Sequence, residues 1–81
     1  MALDCDWEQV DSFRSLKEYE RLLGRIREQV RSGLAEAVEL DPKKRWGTSF
    51  DEHWYKCRQH GEVWRLVAPD PPFKGIFKAI P

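Results

Sequence analysis

Between His53 and Leu66 the chain reads HWYKCRQHGEVWRL, two short runs of alternating apolar and polar residues joined by a turn that contains Gly61. Alternation of period two marks a strand with one buried face, and a glycine in the connection favours a hairpin. A hairpin on its own is marginal in water. The rest of the chain must supply further strands and a cover for the apolar face.

The cover is legible further upstream. Ser15-Leu16-Lys17-Glu18 matches a capping box, in which the Ser15 hydroxyl accepts the Glu18 amide and opens a helix at Leu16. Leu16, Tyr19, Leu22, Leu23, Ile26 and Val30 then recur at three- and four-residue steps and line one stripe. Gly33 suits the left-handed residue that ends a helix, and Arg31 is a cation placed where the helix dipole favours one. The spacing predicts a helix over 16–32.

Strands are predicted over 34–40, 53–58, 62–67 and 73–80, the last following the stiff Pro69-Asp70-Pro71-Pro72 connector. The fold class expected is α+β, with one amphipathic N-terminal helix packed on a small antiparallel sheet of three to four strands in chain order. All 81 residues are read as a single domain. A chain of this length has one modest core, burying ~60–65% of the surface its unfolded form exposes.

Fourteen acidic and fourteen basic residues cancel, so no net field favours a polyanion or a membrane surface. Met1 to Asp6 lacks the basic and apolar regions of a signal peptide, and no apolar run reaches membrane-spanning length. A cytoplasmic location is the expectation; Cys5 and Cys57 can be bridged only if the fold brings their backbones together, and in that compartment reduced thiols are expected.

Cys57 and His60 stand at the spacing of half a zinc site, with Cys5 and His53 as the other donors. His53 and Cys57 would lie roughly 13 Å apart on an extended strand, and a second Cys-x-x-Cys is missing. A degenerate zinc ribbon that binds nucleic acid or serves as an adaptor is therefore kept as the alternative, and no metal or cofactor is expected. Cysteine nucleophilic chemistry would need His60 or His53 as base, and no nucleophile elbow or glycine-rich oxyanion site accompanies it. Asp51 and Glu52 are adjacent and so face opposite ways on a strand. No enzyme activity is expected.

Four tryptophans are many for such a chain. Trp54 and Trp64 are expected on one face of the hairpin, packed under the helix with Leu66, Tyr19, Leu23 and Ile26. Trp7, before the helix, and Trp46, in the basic loop Lys43-Lys44-Arg45-Trp46, are expected at an interface, since Trp and Arg dominate protein contacts. The expected partner-binding residues are Trp7, Lys44, Arg45, Trp46, Asp51 and Glu52. Three cations offset by Asp41 and Asp51 are too few to indicate nucleic acid. The segment Pro69 to Gly75 has little backbone freedom to lose, so it suits either a tight connector or a preformed binding element.

Tyr55-x-Cys57-x-x-His60-Gly61-x-x-Trp64-x-Leu66, followed by Pro69-Asp70-x-Pro72-Phe73-x-Gly75, resembles small bacterial immunity proteins of polymorphic and contact-dependent toxin systems. The likeness covers about the C-terminal third of the chain. It implies a non-enzymatic inhibitor that occludes the active site of one cognate protein toxin. Immunity proteins share no common functional residues, so the resemblance assigns none.

Overall fold

The computed structural model describes residues 5–46 and 50–80. Helix α1 spans Leu16–Ser32, with the Ser15 hydroxyl accepting the Glu18 amide at 3.2 Å and Gly33 ending the helix in the left-handed region at φ 89°. The expected helix bounds and both caps are present. Four strands follow, β1 Ala35–Val38, β2 Glu52–Cys57, β3 Val63–Val67 and β4 Ile76–Ala79, with a 3-10 turn over Pro42–Lys44 between the first two. They form one antiparallel sheet in chain order, β1-β2-β3-β4. The α+β arrangement is the one the patterning predicts.

The two outer strands are shorter than predicted. The last begins only at Ile76, because Asp70 and Phe73 exchange backbone hydrogen bonds at 2.9 Å in a turn of their own and Gly75 adopts φ 85°. An added Cβ on Gly75 would stand 2.8 Å from the Phe13 ring and 2.9 Å from the Val67 carbonyl oxygen. Only glycine fits this corner.

Register divides the side chains into two faces. Tyr55 pairs with Trp64, and Leu66 with Phe77, on the face that carries α1. There Ile26, Leu66 and Phe77 are fully buried, together with Phe13, Tyr19 and Tyr55. Trp54 pairs with Arg65 instead of Trp64. The two tryptophans therefore lie on opposite faces of the sheet, and only Trp64 belongs to the helix side. A one-residue offset in pairing suffices for this, since the side-chain period of a strand is two.

The segment before α1 seals the sheet edge. Val10 and Phe77 exchange backbone hydrogen bonds at 2.8 and 2.9 Å, and the Trp7 ring meets Phe77 and Trp64 edge-on at 5.5 and 5.9 Å. Buried Gln29 donates to the Cys5 carbonyl at 2.8 Å and accepts the Trp7 indole N–H at 2.7 Å. Cys5 and Cys57 are joined in a disulfide with their Cα atoms 6.0 Å apart, which corrects the expectation that both are reduced. Residues 52 positions apart became neighbours because the N-terminal segment runs back past the end of β2. Among the described residues no helix is long and apolar enough to cross a membrane.

Candidate binding surface

Face two of the sheet would be open were it not for the loop after β1. Glu52, the first residue of β2, points outward from the helix, and its side chain is 0% exposed because this loop closes over it. A carboxylate in such a place needs partners. It accepts the backbone N–H of Trp46 and the indole N–H of Trp54, each at 2.7 Å. Arg65 and Arg45 bring their Nε atoms to 3.6 and 4.0 Å of its two oxygens.

The same arginines hold the loop backbone. Arg65 donates to the Lys44 carbonyl and Arg45 to the Phe50 carbonyl, both at 2.9 Å, while the Asp41 carboxylate caps the 3-10 turn through the Lys43 amide at 3.0 Å. The Nε of Arg45 is buried without a hydrogen-bond acceptor, so its contribution to Glu52 is the longer-range attraction of opposite charges. The basic loop is thus a fixed lid.

This construction sorts the residues singled out in the sequence. Glu52 is core and not a contact residue, because the lid that buries it is a tertiary feature. Arg45 has turned largely inward for the same reason. Trp7 is half-buried on Trp64 and Phe77, so it is chiefly a core residue as well. Asp51 is exposed and pairs with His53 at 3.0 Å, on the opposite side from Glu52 as expected. Lys44 and Trp46 remain on the surface.

Trp46 is 47% exposed although its backbone is fixed by Glu52. One side of its ring lies against the Arg65 guanidinium, 5.7 Å from the centroid, and it stacks on Phe73 at 6.4 Å with 28° between planes. Phe50 meets Phe73 from within at 4.6 Å. Aromatic packing of this kind holds a large apolar side chain in place without enclosing it.

Phe73 also opens onto a groove that the sequence only half announced. Its walls are the residues leading into α1 and the proline-rich turn, tied together by the Phe13 amide donating to the Lys74 carbonyl at 3.1 Å. Leu16, predicted as the first residue of the buried stripe, is 60% exposed here. It shares the lining of a groove of about 590 Å³ with Pro69, Pro71 and Pro72. Leu16 and Trp46 are the large hydrophobic residues most exposed among those described, and Phe73 stands between them. The signal available in the sequence was the restricted Pro69–Gly75 segment; that it would lie opposite Leu16 was not.

The alternative metal site does not assemble. Both sulfurs that a zinc ribbon would use are bonded to each other, which leaves Cys57 no thiolate to ligate a metal or to attack a substrate. Among the described residues no group of three or more His, Cys, Asp or Glu is placed to hold an ion. A smaller crevice of about 260 Å³ lies over the disulfide, between Trp7, His60 and Trp64.

Comparison with known proteins found no matching family model, no matching curated protein and no matching solved structure.

Proposed function

We propose that this protein is a non-enzymatic binding domain whose partner is another protein, and that Trp46 is its principal anchor. The observation that supports this reading is the combination of an exposed indole with a backbone fixed by the buried Glu52 carboxylate. An anchor that is already ordered loses little conformational entropy on binding, so its burial translates more fully into affinity. Lys44, at the surface beside it, supplies charge at the rim.

The likeness of the C-terminal third to immunity proteins gives this binding a role: neutralisation of a cognate toxin by covering its active site. Capture from lysate of the native host tests both levels. The tagged protein should retain one stoichiometric polypeptide, and the folded Trp46→Ala variant should lose it. When that polypeptide is expressed alone in a foreign host it should be toxic, and co-expression of this chain should restore growth. Retention unchanged by Trp46→Ala would reject the anchor, and a harmless polypeptide would reject the immunity role.

A further inference from the structure

We infer that the groove between Leu16 and the Pro69–Phe73 turn receives an extended partner segment in which a large apolar side chain is flanked by carboxylates. The inference rests on the protein-binding reading above and adds the site and the chemistry of its occupant. Three observations converge on it.

The groove is apolar where it is deep. Phe13 forms its floor, Leu16 one wall, and Pro71, Pro72 and Phe73 the other. A volume of about 590 Å³ lies within the range of sites that enclose ligand-sized groups, which suits one large side chain and its flanking backbone.

The charges that line it have one sign. Arg14 and Lys74 are exposed on opposite walls, and among the described residues no carboxylate lines the groove. Asp70 belongs to the same turn but stays off the lining, its backbone engaged with Phe73. In a chain whose total charge is zero, an apolar trough with only cations on its walls is a local asymmetry that favours an acidic occupant.

The walls are preformed. Proline rings fix φ at Pro69, Pro71 and Pro72, the Asp70–Phe73 backbone pair closes the turn, and the Phe13–Lys74 hydrogen bond sets the spacing of the two walls. Little ordering is left to oppose binding. The groove is also continuous, through Phe73, with the Trp46 ring, so one partner could cover both.

Selection from a random peptide display library on the immobilised full-length protein tests the inference. Enriched sequences should carry Asp or Glu on either side of an aromatic or large aliphatic residue. Binding of the best such peptide, read by fluorescence polarisation, should weaken about tenfold or more in the Arg14→Glu/Lys74→Glu double variant and should fall with added salt. Leu16→Ser should weaken it with little change in salt dependence. All these side chains are exposed, so circular dichroism and thermal melting should show each variant folded.

Enrichment of neutral or basic sequences, no enrichment, or binding indifferent to the double variant would overturn the inference. So would sedimentation showing a dimer that Leu16→Ser dissolves, since the groove would then belong to a second copy. If the peptides fail while the native partner is still captured through Trp46, the groove inference falls alone. If no polypeptide is captured either, the protein-binding reading falls with it.

Discussion

Glu52 accepts the backbone N–H of Trp46 at 2.7 Å, so a carboxylate sealed between the sheet and its covering loop decides where an exposed indole stands. Fold and candidate function meet in this bond. Replacing Glu52 by Gln keeps the shape but removes the charge that faces Arg45 and Arg65. Removing one partner of a buried ion pair costs about 3–5 kcal/mol, and the partial exposure of the arginines lowers the expectation to about 2–4 kcal/mol. Urea unfolding of Glu52→Gln should show this loss. A change below about 0.5 kcal/mol, the range of ordinary surface substitutions, would mean that the lid does not depend on the carboxylate.

Trp46→Ala should behave in the opposite manner. The indole is half exposed and contributes only its contacts with Phe73 and Arg65, worth about 1–2 kcal/mol together. Partner affinity should fall by about 2–4 kcal/mol when measured by calorimetry against the captured polypeptide. Unfolding of the variant would transfer Trp46 from the binding surface to the core.

Joining Cys5 to Cys57 closes a loop of 52 residues, for which the chain-entropy estimate is about 4 kcal/mol and the usual observed range about 2–4. Cys5→Ser/Cys57→Ser should lose this much in denaturant unfolding. Amide exchange should quicken first around Trp7 and Gln29, whose hydrogen bond depends on the N-terminal segment staying in place. An unchanged midpoint would show that backbone and Gln29 contacts hold that segment without the bond.

Gly75→Ala should destabilise the protein strongly. A non-glycine residue held at positive φ costs about 1–3 kcal/mol, and the approach of Phe13 to 2.8 Å adds an overpacking cost of similar size. Thermal melting measures the sum. Because Phe13 floors the groove, peptide binding should weaken in any Gly75→Ala protein that still folds.

Burial raises the pKa of both Tyr19 and Tyr55 above the usual 10.0, because an apolar site disfavours the phenolate; the carboxylate of Asp51 adds to the effect at Tyr19, and at Tyr55 the Arg27 charge opposes it in part. The protonated form is the one the fold favours. Their contribution to stability is therefore fully present below pH 10.0 and is lost as pH rises through the elevated folded values. Ultraviolet titration of the folded protein should show phenolate appearing later than in the unfolded chain, with unfolding as the midpoint is passed. Coincident titrations would place both hydroxyls in water.

Helix α1, its caps, the hairpin and the chain-order sheet were determined by local sequence. Ser15 and Gly33 act on their own backbone neighbours, and the periods of 3.6 and 2 require only that an apolar face be buried somewhere. Tertiary structure decided which polar residues would join the core and which apolar ones would not. Glu52 reads as an outward carboxylate until a loop from earlier in the chain folds across it, and Leu16 reads as core until the fold leaves it facing the proline-rich turn across an open groove. Trp54 and Trp64 parted by one step of register, and Cys5 found Cys57 only through the return of a segment with no periodic pattern. Each of these depends on pairs of residues distant in sequence, whose proximity is set by packing rather than by local backbone preference.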